Sequence, residues 1–162
     1  MSRQVVTGLA LVLLVGIACD EDSTGPAEPT SFAATLNGAA ERPNAVTTTA
    51  TGAATVTINE AASTMDFTVT VNGIVNVIAA HIHVGRTDAA GPIVVNLLPT
   101  APAPGTITGS LSTGTITQTN ITTGVPITFA SLVSLMRKGD TYVNVHTQAN
   151  GGGEIRGQLT PQ

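Results

Sequence analysis

The sequence predicts an all-β fold: a Greek-key-like sandwich or flattened barrel of about eight strands with one short helix. Three observations carry this. Apolar and polar residues alternate with period two in many short runs. Aromatic residues are confined to Phe32, Phe67, Phe129 and Tyr142, so the core must be built from Val, Ile, Leu, Ala and Thr methyls. The β-branched members of that set suit pleated sheet. Glycine and proline are spread as punctuation instead of being packed into one tract.

The elements follow in order. Alternation starts near Ser31, with Phe32, Ala34 and Leu36 on one face. Residues 52–59 alternate again through Ala54, Val56 and Ile58. Residues 59–62 (Asn-Glu-Ala-Ala) suit a hairpin turn, and Met65, Phe67, Val69 and Val71 form the returning apolar face. Asn72-Gly73 reads as a further turn. Strands are then expected over 74–84, 92–98 and 105–111, with a Pro-containing loop over 99–104. Phe129, Leu132, Val133, Leu135 and Met136 recur at helical spacing. Thr128 can cap that helix, Arg137 and Lys138 suit its last turn, and Gly139 can end it. Strands over 141–147 and 154–159 close the chain.

Side chains alternate across a strand, so residues two apart share a face. Ala80, Ile82 and Val84 take the core face, which puts His81 and His83 together on the other. Val143, Val145 and Thr147 face the core, leaving Tyr142, Asn144 and His146 opposite. Ile155, Gly157 and Leu159 face in, leaving Glu154, Arg156 and Gln158 out. All three histidines of the chain therefore fall on non-core faces.

The last two strands constrain their own register, because residues opposite each other must share a face. Pairing His146 with Glu154 sets Asn144 against Arg156 and Tyr142 against Gln158. A slip of two would set His146 against Arg156, where a guanidinium discourages protonation. A slip of one would set Val145 against Arg156. The first register is expected, and with it a polar patch of His146, Glu154, Asn144, Arg156, Tyr142 and Gln158.

Two histidines at i and i+2 can share a metal ion with a third from another strand, at about 2.0–2.1 Å for zinc. Copper accepts the same set. His81, His83 and His146 are thus candidate metal ligands, provided their strands are neighbours, with Glu154 available to orient His146. The alternative is that these are hydrogen-bonded polar side chains under a loop. Arg156 and Glu154 are expected as structural ion-pair partners, with Glu41 or Asp140 as further candidates. Gly151-Gly152-Gly153 lacks the helix N-terminus and lysine of a phosphate loop and reads as a permissive turn.

Residues 1–18 have the parts of a secretory signal: Arg3, an apolar run over 5–17 of about a dozen residues, and a small Ala18. Cys19, the only cysteine, follows directly. Residues 15–19 (Val-Gly-Ile-Ala-Cys) resemble a bacterial lipobox, in which the Cys thiol is diacylated and becomes the new N-terminus. Gly16 departs from the usual Leu. Residues 19–29 are charged, small and Pro-containing, and read as a flexible tether; residues 30–162 form the folded domain. The expected location is outside the cytoplasm, lipid-anchored on the periplasmic or cell-surface side of a bacterial membrane. A single cysteine leaves no internal disulfide, so packing alone must hold the fold.

Formal charge is −4, and −5 once Arg3 leaves with the signal. Arg137-Lys138 is the only adjacent basic pair, so the positive footprint of a nucleic-acid binder is missing.

Ala80-His81-Ile82-His83, residues 91–95 (Gly-Pro-Ile-Val-Val), Gly139 before residues 142–147, and Gly153-Glu154-Ile155-Arg156-Gly157-Gln158-Leu159 closely resemble the CHRD domain. So do residues 32–38 with Glu41 and Pro43. The resemblance covers about residues 30–161. It departs at Asn150, which leads into three glycines with no intervening proline. It implies an extracellular β-rich module, named for chordin and common in bacterial exported proteins, with no catalytic residues to carry over. Its role would be in binding or envelope structure, with an extracellular protein or a polysaccharide as partner. The alternative is a copper or zinc protein acting in redox chemistry or sequestration. A weaker similarity is to copper/zinc superoxide dismutase, a sandwich with a His-X-His strand. That enzyme needs further histidines and usually a disulfide, so dismutase activity is not expected.

Overall fold

The structure is a computed structural model; it describes Met1, residues 27–122 and residues 124–162. The signal segment, Cys19 and most of the tether lie outside the described residues. The strands are β1 (Ser31–Asn37), β2 (Thr51–Asn59), β3 (Thr64–Val75), β4 (Val77–Val84), β5 (Ile93–Asn96), β6 (Thr106–Ile116), β7 (Thr141–Thr147), β8 (Ile155–Gln158) and β9 (Thr160–Pro161). One helix, α1 (Phe129–Arg137), precedes β7.

All strands belong to one antiparallel sheet in the order β5-β4-β7-β8-β1-β2-β3-β6, with β9 added beside β1. The sheet curls until its ends approach. Ser112 Oγ donates to the Leu97 carbonyl at 2.5 Å, and Val95 bridges Ile121. The result is a nearly closed barrel, as the alternation predicts. Its inward residues form one apolar core that includes Leu36, Met65, Val69, Ile82, Val145 and Leu159.

Helix α1 stops the barrel with Leu132 and Met136, both fully buried. Thr128 Oγ1 accepts from the Ser131 N–H at 3.1 Å, as an N-cap should. At the other end Gly139 takes φ +73°. Its N–H reaches the Met136 carbonyl, and the Asp140 N–H reaches the Leu135 carbonyl. This is the paired closure that a left-handed glycine permits. Arg137 then ties down the start of the domain through Glu60, Glu28 and the Pro29 carbonyl.

The hairpin after β2 forms where expected, with the Ala62 N–H donating to Asn59 Oδ1 at 3.0 Å. Asn72-Gly73 does not turn the chain. Strand β3 runs on through it, Gly73 takes φ +67°, and the pairing with β6 shifts between Val71 and Ile74. A left-handed glycine serves a bulge as well as a turn, which is why the dipeptide misleads. The reversal comes at Asn76 (φ +52°), which exchanges hydrogen bonds with Gly105, and β4 starts at Val77 instead of 74. The expected last strand is β8, which pairs β7 and touches β1, and a further short strand beyond it, β9, pairs β1.

Candidate metal centre

The site is set out by three adjacent strands, β4, β7 and β8. In β7 and β8, Tyr142 lies opposite Gln158 and Asn144 opposite Arg156, the register the sequence predicts. In β4 and β7, His81 lies opposite Asn144, His83 opposite Tyr142, and Ala79 opposite His146. The strand carrying His81 and His83 is therefore the direct neighbour of the strand carrying His146.

The three imidazoles converge. One nitrogen from each lies within 4.8 Å of the others. His81 Nδ1 and His146 Nε2 are 3.1 Å apart. Tetrahedral zinc with nitrogen ligands needs N···N spacings of about 3.3 Å, so this pair already stands at ligand separation. The His83 nitrogen stands within 4.8 Å of both and would have to draw in.

Loop carbonyls orient two of the rings. His83 Nδ1 donates to the Gly91 carbonyl at 2.9 Å, and His146 Nδ1 donates to the Gly151 carbonyl at 3.1 Å. A carbonyl only accepts, so each ring carries its proton on Nδ1 and presents a bare lone pair at Nε2. His83 Nε2 is buried with no hydrogen-bond partner. His81 then donates from Nδ1 to His146, and that proton occupies the place a shared metal ion would take. Burial and the neighbouring imidazoles His146 and His83 push His81 down to about 4. Burial also lowers His83 and His146. All three are neutral at pH 7, the form a metal requires.

Behind the histidines lies a stack. Tyr142 lies parallel to His83, with ring centroids 4.8 Å apart and an interplanar angle of 10°. The Arg156 guanidinium covers the other face of Tyr142 at 3.5 Å. Arg156 Nη2 donates to the carbonyls of Arg86 (2.6 Å) and Ala89 (2.9 Å), in the turn that leads to Gly91. The Gly91 N–H donates to the Tyr142 hydroxyl at 3.0 Å.

Three expectations need correction. Glu154 does not orient His146. Its carboxylate turns to Thr147, Thr48 and Asn150, at 2.6, 2.7 and 3.1 Å. Burial disfavours its charge, but those three hydrogen bonds outweigh it and hold the carboxyl below the usual range. Arg156 is not ion-paired with Glu154, Glu41 or Asp140; among the described residues it forms no ion pair. The glycine run is not uniformly permissive either. Gly151 and Gly152 stand in open space, but Gly153 has φ +129°, and a Cβ there would come within 2.5–2.8 Å of the Asn144 amide and Glu41.

The non-core face is also buried. Glu41 is only 2% exposed and accepts from Asn144 Nδ2 at 3.0 Å with both oxygens. Burial raises its pKa, against the Asn144 hydrogen bond and the charges of Arg156 and Arg42. Sequence reasoning missed Thr48 and the carbonyls of Gly91 and Gly151. Backbone acceptors on loops leave no side-chain signature to find.

The chain is a β-rich module: a curled antiparallel sheet with a polar cluster roofed by loops. The family model for the CHRD domain matches residues 32–159, and the chain belongs to that family, a module of the extracytoplasmic binding type. No curated protein matches the chain, and no solved structure does.

Proposed function

We propose that this chain is an exported, lipid-anchored CHRD module with a binding role in the cell envelope, and that the ligand it binds is a copper or zinc ion held by His81, His83 and His146. The observation that carries this reading is the convergence of three neutral imidazoles, one with a buried nitrogen that has no other partner. The carbonyls behind His83 and His146 are the second layer that metal-binding histidines ordinarily have. When bound, the ion would supply a Lewis-acidic or redox centre. The protein supplies the lone pairs, their tautomers and a roof of loops. Anchoring rests on residues 1–18 and Cys19, and an extracellular protein or polysaccharide remains the class of macromolecular partner.

The test is titration of the full-length chain in detergent with Cu²⁺ or Zn²⁺ while following the histidine NMR resonances. Response of all three histidines at micromolar metal, abolished by H81A, H83A or H146A, supports the reading. Histidine resonances that stay unmoved sink it. In that case the cluster is a hydrogen-bonded polar layer.

A further inference from the structure

We infer that the three-histidine site favours copper as Cu(I) over a divalent ion, and that the buried Arg156 guanidinium sets this preference. The inference rests on the metal reading above and names the ion.

The donor set is the first argument. Among the described residues the cluster contains three imidazoles and no carboxylate or thiolate. Neutral nitrogen donors leave the full charge of a dication uncompensated. Cu(I) is satisfied by three ligands, whereas Zn(II) on three protein ligands must take a fourth from water.

Arg156 is the second argument. It is 2% exposed and meets carbonyl dipoles and the face of Tyr142 instead of a carboxylate partner. The order through the stack is guanidinium, phenol ring, imidazole of His83. The cation thus stands one aromatic ring behind a metal ligand. Its repulsion falls on a dication twice as heavily as on a monocation. The ion lies beyond the His83 ring, at roughly 11 Å from the guanidinium, and at an effective dielectric near 20 the difference is on the order of tenfold in relative affinity. Glu41 is a buried carboxylate that opposes this field and acts directly on Arg156; it sits beyond Asn144, hydrogen-bonded to that amide. Asp88 also attracts Arg156, and Arg42 repels it. Arg156 has a positioning part as well, since its Nη2 holds the turn whose Gly91 carbonyl fixes His83.

The experiment compares Cu(I) and Zn(II) affinities of the full-length chain by anaerobic chelator competition. C19S is run in parallel, because a free thiol would itself bind Cu(I). Expected is a Cu(I)-over-Zn(II) ratio that falls about tenfold in R156M. It should be kept in R156K, where both affinities drop because the planar stack on Tyr142 is lost. E41Q should raise the ratio. This variant keeps the test open if R156M does not fold. A wild-type preference for Zn(II), or a ratio that neither E41Q nor a folded R156M moves, overturns the inference while leaving a metal site standing. No binding of either ion removes the metal reading itself.

Discussion

His83 and Tyr142 face each other across the β4–β7 pair, rings stacked 4.8 Å apart and 10° from parallel. Tyr142 is the only tyrosine, and the chain has no tryptophan. Its emission is therefore a built-in reporter of the cluster. Binding of Cu²⁺ should quench most tyrosine fluorescence with one saturable phase at micromolar copper, and H83A, which removes a ligand, should abolish that phase. Quenching that stays linear in copper and unaffected by H83A would mean collisional contact only.

Acid should weaken the metal-free protein in a defined window. Unfolded histidine titrates near 6.5, while folded His81 is held down to about 4 and His83 and His146 are lowered too. Between those values the unfolded chain binds more protons, so stability falls as pH drops from about 6.5 toward 4. Glu154 adds to the loss lower down, because its depressed carboxyl keeps its contribution until pH falls through its folded value. Glu41 acts in the opposite sense above its usual 4.5, since its raised pKa favours folding at lower pH. Urea midpoints measured from pH 7 to 4 should fall, and fall more steeply in E41Q. A flat profile would contradict the buried neutral state of the histidines.

Gly153 and Gly152 should respond differently to one added methyl. G153A must hold a left-handed backbone and push against Asn144 and Glu41, at a cost of about 1–3 kcal/mol. G152A meets nothing within 4 Å and should stay within about 0.5 kcal/mol of wild type. Denaturant unfolding of the two variants checks this.

The core sets the larger scale. Ile82 is fully buried between the two histidines of β4. I82A should cost about 2–5 kcal/mol through lost burial and the cavity left behind. Calorimetry would register it as a lowered melting temperature, with metal affinity weakened only as the fold itself is lost.

Cys19 is expected to carry the lipid. Intact mass of the membrane-extracted protein should show a chain starting at Cys19 with acyl groups attached, and C19S should release the domain into the soluble fraction. An unmodified N-terminus elsewhere in residues 19–29 would remove the anchor.

Local rules made much of this protein legible in its sequence. Alternation decided which face each histidine takes, because side-chain direction in a strand depends only on neighbouring residues. Same-face pairing excluded a one-residue slip of the β7–β8 register, and the preference for a carboxylate over a guanidinium opposite His146 chose between the registers left. Thr128 and Gly139 marked the ends of α1. Asn72-Gly73 misled because a bulge and a turn ask the same of glycine. Only the tertiary structure placed β4 beside β7, joining His81 to His146 across 65 residues of chain. Only it showed that Glu154 turns to three better donors, that Glu41 is buried, and that carbonyls from two loops aim the imidazoles. Strand order and loop carbonyls depend on how the whole sheet closes, and no local pattern of side chains encodes that closure.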